Sequence, residues 1–372
     1  MSGGVRHLYV HLPFCAHRCS YCDFVTLVGR RDGHHAYVDA LLVELALART
    51  VLADELETVY LGGGTPTYTE PAALDRLLEG LPSAAEVTVE ANPETVTPAL
   101  ARSLRRRGVT RVSLGAQSFQ PEALAVLERR AGPGAVRSAF YHLRDAGFDN
   151  ISLDLLYGIP GQSPADLAQD LAEAIALGPE HLSCYELEAK PGTRFTFAHG
   201  NELAQQAEAM EGHFELVVEK LVGAGYRWYE TSSFCRPGKQ ARHNLGYWRG
   251  EDYLGIGIGA VSTVDGLRWR NSAKLAGYLG ALAEGRLPPR NEETLDTELL
   301  RRERLMLGLR LDEPLALKQV ESVVDEAALD RMERLGLAEL RQGGLVLTTR
   351  GRFLGGGVTV ELMAESPAKS TI

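Results

Sequence analysis

The sequence predicts an α/β protein with a partial (β/α)6 TIM-like barrel, followed by a smaller C-terminal α+β domain of winged-helix type. Two observations lead to this prediction. Between residues 7 and 187, short β-branched runs alternate with longer segments of helical periodicity, as in βα units around a parallel sheet. After Pro288-Pro289, a separate block combines helical patterns with a β-like stretch rich in glycine. About six units, fewer than the eight of a closed barrel, predict an open one.

The predicted strands are near-continuously apolar, as expected of strands that are covered on both faces. In a barrel of this kind, chemistry collects at the carboxyl ends of the strands, where the βα loops converge. A further helix at 205–225 and an apolar segment at 226–234 follow the barrel pattern. The predicted strands span 7–14, 57–62, 86–91, 111–116, 150–156 and 181–187, and the helices between them span 36–52, 71–81, 98–107, 135–146 and 164–177.

We divide the chain into four parts. Residues 1–235 form the barrel, and 236–290 form a connecting region, a loop rich in glycine and aromatic residues. Residues 291–364 form the C-terminal domain, with helices near 299–309 and 327–335 and a β-like stretch at 340–349. Residues 365–372 form a disordered tail. Basic and acidic residues nearly balance in the C-terminal domain, which favours a packing or lid role over DNA binding.

Composition narrows the classes of partner. The chain has 372 residues and a net charge of −10, which argues against binding to a phosphate backbone, so no nucleic-acid partner is expected. No apolar run reaches the length of about 18 residues needed for a transmembrane segment, and the N-terminus does not read as a signal peptide. We therefore expect a cytoplasmic protein. Five cysteines in so long a chain do not form a disulfide framework.

Three of these cysteines crowd into one short segment. Cys15, Cys19 and Cys22 follow the first predicted strand at the spacing CxxxCxxC. Thiolates suit an iron–sulfur cluster or zinc. A structural zinc would need a fourth ligand, which His11 or His17 could supply. The spacing alone favours the cluster and leaves zinc open.

A glycine run, Gly62 to Pro66, follows the second predicted strand. By itself it reads as a tight turn, and it lacks the ending of a phosphate-binding loop. Together with the cysteine motif, it closely resembles the radical S-adenosylmethionine superfamily. This resemblance implies a [4Fe-4S] cluster on the three cysteines, with S-adenosylmethionine at its open iron. It also implies that Gly63, Gly64 and Thr65 contact the methionyl group.

The resemblance extends over nearly the whole chain to one branch, the coproporphyrinogen dehydrogenase-like proteins, which include haem chaperones. Matching strings include Leu8 to Cys15, Val89 to Pro93, Ser113 to Phe119 and Leu153 to Gly158. Read singly, each polar residue in these strings is an ordinary strand-end residue. The resemblance implies contacts to S-adenosylmethionine, with Arg129 pairing with the methionyl carboxylate. The implied contact residues are Tyr9, Tyr21, Glu90, Gln117, Arg129 and Asp154.

Two details distinguish groups within this branch. The dehydrogenases resemble one another in a fourth cysteine, and this chain has Phe24 at that position. The string from His243 to Trp248 matches the HNxxYW signature of the haem chaperones. This match implies that His243 is the axial ligand of haem. A lone histidine in a loop is more commonly a hydrogen-bonding surface or core residue. Cys235, which borders this segment, stays an open alternative.

Two other features of the sequence do not predict a functional site. Cys184 lies inside an apolar strand and reads as a small core residue. The string from Gly255 to Ala260 superficially fits a dinucleotide fingerprint, but it lies late in the chain and outside a clear βαβ unit, so we reject that interpretation.

The resemblance implies a haem chaperone that binds haem and passes it to haem-requiring proteins such as respiratory enzymes, as a monomer or homodimer. The alternative is an oxygen-independent coproporphyrinogen III dehydrogenase, in which cleavage of S-adenosylmethionine supplies radical chemistry. A zinc-stabilised regulatory protein that binds DNA is the third hypothesis, which a content of zinc without iron would favour.

Overall fold

A twelve-stranded sheet organises most of the chain. The structure is a computed structural model that describes residues 4–188 and 190–364, so the predicted disordered tail lies outside the described residues. The strands are β1 (His7–Leu12), β2 (Phe14–Cys15), β3 (Leu27–Val28), β4 (Leu56–Gly63), β5 (Ala84–Ala91), β6 (Arg111–Gln117), β7 (Ile151–Tyr157), β8 (His181–Glu186), β9 (Arg227–Glu230), β10 (Ser233–Cys235), β11 (Tyr253–Ile256), β12 (Val261–Val264), β13 (Leu267–Asn271), β14 (Arg290–Thr294), β15 (Leu315–Ala316), β16 (Ala338–Arg341) and β17 (Gly344–Leu347).

Six parallel strands form the centre of this sheet. Strands β1, β4, β5, β6, β7 and β8 pair in chain order, and they coincide with the six predicted strands. The full order is β14-β13-β12-β11-β1-β4-β5-β6-β7-β8-β10-β9. Within the described residues the two ends of the sheet do not pair, so the predicted partial barrel is confirmed.

Helices cover the outer face of the parallel strands, and the predicted barrel helices are all present. Several of them begin at a proline, which suits a first helical position where no N–H is needed. The helix predicted from residue 205 begins earlier, because the Thr193 side chain accepts from Thr196 N and caps it. The helices are α1 (His34–Leu47), α2 (Pro71–Gly80), α3 (Pro98–Arg106), α4 (Pro121–Val126), α5 (Pro133–Asp145), α6 (Pro164–Leu177), α7 (Arg194–Gly223), α8 (Arg242–Trp248), α9 (Leu275–Ala283), α10 (Thr297–Gly308), α11 (Glu326–Arg334), α12 (Thr349–Phe353) and α13 (Gly355–Leu362).

The inner face of the barrel is polar, which corrects the prediction of near-continuously apolar strands. Successive side chains of a strand point to opposite faces, so residues two apart share a face. Leucines and valines fill the outer face under the helices. Polar residues at alternate positions are buried on the other face, among them His7, Thr58, Glu86, Thr88, Arg111, Ser113, Ser152, His181 and Ser183.

The region 236–290 is more regular than predicted. The expectation of a loop is wrong for residues 242–248, which form helix α8, and strands β11 to β14 extend the barrel sheet. Glycines obscured this pattern: a Cβ on Gly255 would lie 2.2 Å from the Val261 carbonyl oxygen, so strand β11 requires glycine there. The domain boundaries stay a prediction, although β11 pairs directly with β1 in parallel.

The C-terminal region has the predicted α+β composition. Strands β15, β16 and β17 form a small antiparallel sheet, and the helices around it enclose a separate core that includes Leu305 and Leu345. Arg227 donates to both carboxylate oxygens of Asp312 at 2.8 Å. This forked ion pair connects β9 with the C-terminal region.

A buried carboxylate connects helix α1 with the extension of the sheet. Glu44 accepts hydrogen bonds from Gly257 N at 2.8 Å, Asn271 Nδ2 at 2.6 Å and the Tyr278 hydroxyl at 2.5 Å. Burial raises the pKa of Glu44 to about 7, and the three donors counteract only part of this effect. Glu44 therefore holds three separate elements together.

We expect Glu44→Gln to lower the free energy of unfolding at pH 5, where Glu44 still contributes nearly all of its stabilisation, by about 1–3 kcal/mol, because the amide nitrogen cannot accept a hydrogen bond as a carboxyl oxygen does. The folded-state pKa is raised from its ordinary value of 4.5. The stabilisation that this group adds is therefore fully present below about pH 4.5 and is lost as the pH rises through about 7. Urea unfolding from pH 5 to 8 should show this dependence in the parent protein and less of it in the variant. Glu57→Gln, at an exposed ion pair with Arg6, should cost under about 1 kcal/mol; equal effects of both substitutions would contradict the role of Glu44.

Candidate functional site

All but two of the predicted site residues converge on one cavity at the carboxyl ends of the parallel strands. Its volume is about 560 Å³. Tyr9 and His243 are the two predicted residues that do not line it. The predicted residues that line the cavity are Cys15, Cys19, Tyr21, Cys22, Gly63, Gly64, Thr65, Glu90, Gln117, Arg129 and Asp154.

The three thiols lie on one wall of this cavity. Burial raises the pKa of the Cys15 thiol to about 11 and also raises the pKa of Cys22. Because low-dielectric surroundings disfavour the thiolate, these two thiols are protonated at neutral pH unless a cation compensates their charge. Three soft donors on one wall fit a metal centre, and its binding would release their protons.

The glycine run after β4 supports the cysteine loop. Gly64 N donates to Leu12 O at 2.8 Å, and Thr65 N donates to Phe14 O at 2.9 Å. A Cβ on Gly64 would lie 2.6 Å from the Pro13 carbonyl oxygen, so only glycine fits. These N–H groups are used within the protein, and contacts to a cofactor would come from other polar atoms, such as the Thr65 hydroxyl 3.5 Å from Cys15 Sγ.

The two histidines considered as a fourth zinc ligand differ. His11 has both ring nitrogens engaged, with Val25 O at 2.8 Å and the Tyr9 hydroxyl at 3.2 Å. His17 lines the cavity, and its Nε2 lies 3.8 Å from Cys19 Sγ and 3.1 Å from Glu128 O. Of the two, only His17 lines the cavity together with the thiols.

Arg129 brings a positive charge to the cysteine wall. Its Nη2 donates to Gly115 O at 2.7 Å, and its Nη1 lies 3.8 Å from Cys19 Sγ. Its Nε is buried and has no hydrogen-bond partner among the described residues. This arrangement leaves donor capacity for an anionic group, such as a thiolate or a ligand carboxylate.

The end of strand β6 has an unusual backbone. Gln117 has φ 66°, in the left-handed region, and the register with β7 shifts between Gly115 and Gln117. A Cβ on Gly115 would lie 2.8 Å from Gln117 Nε2. Non-glycine residues in this region and bulges at strand ends are characteristic of functional sites, since both redirect a side chain.

Two half-buried carboxyls, Glu90 and Asp154, line the cavity. Glu90 accepts from the Tyr60 hydroxyl at 2.8 Å and from Gly63 N at 3.1 Å, and Asp154 accepts from the Ser113 hydroxyl at 3.0 Å. Burial raises the pKa of Glu90 to about 7 and raises the pKa of Asp154. These carboxyls can accept hydrogen bonds from ligand hydroxyl or amine groups.

The two predicted tyrosines occupy different positions. Tyr21 lines the cavity, where burial raises its hydroxyl pKa despite the opposing charge of Arg129. The Tyr9 ring lies behind Tyr60, with ring centroids 6.1 Å apart. Tyr9 is thus separated from the cavity by one aromatic ring.

His243 lies in helix α8 and is 1% exposed. Its Nδ1 is 2.7 Å from Thr58 Oγ1, its Nε2 is 2.9 Å from the Tyr247 hydroxyl, and its ring stacks on Tyr60 at 5.0 Å. Burial, with a smaller effect of His7, lowers the pKa of His243 to about 3, so the ring is neutral. Ligation of haem iron would require one of these two hydrogen bonds to break.

The remaining cysteines are core residues. Cys235 is fully buried among Tyr229, Leu245 and Leu311, and burial raises its pKa to about 11. Cys184 is buried in β8, as predicted. Neither of them lines the cavity.

Sequence reasoning missed several polar residues of the cavity. Arg111 is 2% exposed, lines the cavity floor, and has a buried Nε without a partner among the described residues. Tyr60, Tyr185 and Asn244 also line the cavity. Alternation of residues along β6 could have identified Arg111, because residues two apart in a strand share a face. Arg111, Ser113 and Gly115 all lie on the inner face of β6.

None of the helices in the described part of the chain is long and apolar enough to cross a membrane.

Comparison with known proteins gives consistent matches. The model of the radical SAM superfamily matches residues 9–174. The chain is 38% identical to "Heme chaperone HemW" of Mycobacterium tuberculosis, over 98% of this chain and 96% of the relative. It is 32% identical to the protein of the same name from Bacillus subtilis, over 97% and 100%. Among solved structures, coproporphyrinogen III oxidase (HemN) from Escherichia coli matches with TM-score 0.79 and 24% identity, over 96% of this chain and 89% of that chain, a likeness that shows the fold.

We expect Cys19→Ser to abolish the iron content and visible absorption of the anaerobically reconstituted protein, because one of three thiol ligands is lost. Cys184→Ser is the matched control and should retain both, since Cys184 lies away from the cavity. Iron analysis and absorption spectra provide the measurement. Loss of iron only in the Cys184 variant would overturn the assignment, and zinc in place of iron would revive the zinc hypothesis.

Proposed function

Because this chain belongs to the radical SAM superfamily and, within it, to the haem chaperone HemW family, we propose that it is a haem chaperone. It binds haem, a [4Fe-4S] cluster and S-adenosylmethionine, and it passes haem to haem-requiring proteins such as respiratory enzymes. The observation that carries this proposal is the likeness to proteins named haem chaperone HemW over nearly the whole chain. A likeness limited to the barrel would support the cofactors but not the chaperone function.

The cluster is held by Cys15, Cys19 and Cys22, which leaves one iron for the amine and carboxylate of S-adenosylmethionine. When bound, this pair of cofactors supplies one-electron chemistry. The chain contributes thiols that lose their protons on binding. Arg129, next to Cys19, offsets part of the negative charge that the thiolates bring.

The cavity floor and walls hold S-adenosylmethionine. Arg129 pairs with the methionyl carboxylate, and this assignment is supported by its place on the cavity lining with Nη1 3.8 Å from Cys19 Sγ. Glu90 and Asp154 accept hydrogen bonds from the ribose hydroxyls or the amine. The other proposed contacts are Tyr9, Tyr21, Gly63, Gly64, Thr65 and Gln117, with Tyr9 acting from behind Tyr60.

Haem is held at helix α8, with His243 as its axial ligand. A neutral imidazole is a good ligand for haem iron, and Tyr247 and Trp248 offer apolar faces to the porphyrin. Tyr247 and Trp248 are each partly exposed, and the Arg310 guanidinium already lies over the Trp248 ring, 4.1 Å from its centroid. Cys235 is the weaker candidate, because it packs in the core with Leu245 and Leu311 and lies outside the HNxxYW match.

The alternative, an oxygen-independent coproporphyrinogen III dehydrogenase, has less support. The likeness to HemN is a likeness of fold at 24% identity. Phe24 stands where the dehydrogenases resemble one another in having a further cysteine. We place the chaperone in the cytoplasm, as a monomer or homodimer.

The decisive experiment compares binding of haem with turnover of coproporphyrinogen III. The protein is purified anaerobically, its cluster is reconstituted, and it is offered either haem or coproporphyrinogen III with S-adenosylmethionine and a reductant. The proposal expects stoichiometric haem binding without consumption of coproporphyrinogen. Consumption of coproporphyrinogen without haem binding would favour the dehydrogenase.

We expect His243→Ala to shift the Soret band of the haem complex and weaken haem binding roughly tenfold or more, equivalent to about 1.4 kcal/mol. The reason is loss of the axial nitrogen. The absorption of the cluster should not change. His213→Ala, which removes a buried imidazole on α7 that has no hydrogen-bond partner among the described residues, should bind haem like the parent protein. Parent-like spectra and affinity in the His243 variant would remove it as the ligand.

We expect Arg129→Ala to weaken binding of S-adenosylmethionine roughly tenfold or more, since removing a hydrogen bond to a charged group costs about 1.5–3 kcal/mol. Isothermal titration calorimetry on the cluster-loaded protein provides the measurement. Arg130→Ala, at the adjacent exposed arginine, should leave the affinity unchanged. Equal affinity of the two variants would exclude Arg129 from the site.

A further inference from the structure

Arg111 is a buried arginine of the cavity that none of the proposed cofactor contacts uses. It is the first residue of strand β6, is 2% exposed and lines the cavity. Its one hydrogen bond within the described part of the chain joins Nη2 with His181 Nδ1 at 3.4 Å, and it forms no ion pair with a described carboxylate. A buried charge is costly unless other charged or polar groups compensate it, so the groups around this guanidinium explain its presence.

The path of the Arg111 side chain follows from the order of the strands. Strand β7 lies between β6 and β8. A side chain that starts on β6 and bonds to His181 on β8 therefore crosses the inner face of β7. In the register of these strands, Ser152 on β7 lies beside Ser113 and His181, and Asp154 is the next inner-face residue of β7. The guanidinium thus lies next to the part of β7 that carries Asp154.

Short polar contacts connect the same residues. Ser152 Oγ lies 2.8 Å from His181 Nδ1, the atom to which Arg111 bonds, and 3.3 Å from Asp154 Oδ1. The Ser113 hydroxyl, two residues after Arg111 on the same face, lies 3.1 and 3.0 Å from the two carboxylate oxygens of Asp154. Arg111 and Asp154 therefore belong to one buried polar network, in which serine hydroxyls fill the space between them.

Arg111 is the one cation in the set of ionisable groups around Asp154. Burial raises the pKa of Asp154, and the positive charge of Arg111 is the largest effect that opposes this rise. Burial and the charge of Arg111 lower the pKa of His181, so this ring is neutral. For Glu90, in contrast, the hydroxyl of Tyr60 opposes the effect of burial more than Arg111 does. The ionisable groups around Asp154 and Arg111 are Tyr60 on β4, Glu86 and Glu90 on β5, and His181, Cys184 and Tyr185 on β8.

We infer that Arg111 is a positioning residue whose positive charge keeps Asp154 ionised, so that Asp154 accepts hydrogen bonds from S-adenosylmethionine. The contact between Asp154 and the cofactor rests on the proposed function, whereas the effect of Arg111 on Asp154 does not. An ionised carboxylate is an acceptor at both oxygens, while a protonated carboxyl carries an O–H that must itself find an acceptor. Arg111 acts through Asp154 and needs no contact with the cofactor.

Two substitutions separate this electrostatic role from a purely structural one. If Arg111 only filled space and held His181 in place, the charge of its side chain would not matter. Arg111→Gln removes the charge and keeps an N–H donor, whereas Arg111→Lys keeps the charge and loses the planar fork. An electrostatic role predicts that the lysine variant resembles the parent protein and the glutamine variant does not.

The first test titrates the Asp154 carboxyl directly, in the full chain without cofactors. Aspartate labelled with ¹³C at the side-chain carboxyl is followed by NMR across the pH range in which the protein stays folded, and the Asp154 signal is assigned by its loss in Asp154→Asn. We expect Arg111→Gln to raise the pKa of Asp154 by about 1–2 pH units, as loss of a nearby opposite charge does, and Arg111→Lys to stay close to the parent protein. Arg352→Gln is the matched control, because Arg352 is a partly buried arginine that lies over the Trp228 ring and not in the cavity. It should leave the pKa of Asp154 unchanged.

The second test measures the affinity of the cluster-loaded protein for S-adenosylmethionine as a function of pH, by isothermal titration calorimetry. Affinity should fall as the pH is lowered through the pKa of Asp154, because the protonated carboxyl is the weaker acceptor. In Arg111→Gln this fall should begin at higher pH. The variant should then bind roughly tenfold more weakly than the parent protein at the acidic end of the range, where one pH unit of displacement is worth up to about tenfold, and recover most of this loss at the alkaline end. Arg111→Lys should follow the parent profile.

The same pKa of Asp154 in Arg111→Gln and in the parent protein would overturn the inference. A loss of cofactor affinity that is equal at both ends of the pH range would overturn it as well, since that is the result of a purely structural role. Circular dichroism checks folding, and Arg111→Met, which has no charge and an unbranched apolar side chain, replaces the glutamine variant if that variant does not fold. If the parent protein does not bind S-adenosylmethionine, the proposed function fails, while the carboxyl titration still decides the role of Arg111.

Discussion

The polar inner face of the barrel is the constraint on which the rest of the structure depends. Charged side chains lie there, with Glu86 and Arg111 buried and Glu90 and Asp154 half-buried at the cavity, at a cost that only charge pairing and hydrogen bonds offset. The hydroxyls of Tyr60 and Ser113 donate to these carboxylates, and the guanidinium of Arg111 lies among them. Stability must then come from the outer face, where the strands pack under the helices in the main apolar core.

The same constraint explains how distant segments attach to the barrel. Helix α8 is bound through Glu86 and Thr58, both on the polar face, and strand β11 pairs with β1 at the edge of the parallel strands. Glu44 secures the extension of the sheet from the helical side. Buried polar groups thus specify which segment occupies which place, while apolar contacts provide most of the stabilisation.

Tyr60 stands between the two proposed cofactor sites. Its hydroxyl donates to Glu90 on the cavity floor, and its ring stacks on His243 behind the cavity. A change at either site is therefore one side chain away from the other. If haem occupies α8 and S-adenosylmethionine occupies the cavity, Tyr60 contacts residues of both sites, so binding at one site can alter the other through this side chain.

The sequence by itself determined the features that local patterns encode. The six parallel strands followed from periodicity, and the thiol wall followed from cysteines that lie within eight positions of one another, because neighbouring residues in one loop reach one point whatever the rest of the chain does. Tertiary structure decided what depends on distant residues. Thr58 and His243 lie 185 positions apart in the sequence, yet their side chains are 2.7 Å apart in the fold. No local pattern could therefore reveal that both ring nitrogens of His243 are engaged. The same holds for Arg111, whose place in the cavity is set by which face of β6 the barrel encloses, since the sequence shows alternation but the fold decides which face is inside.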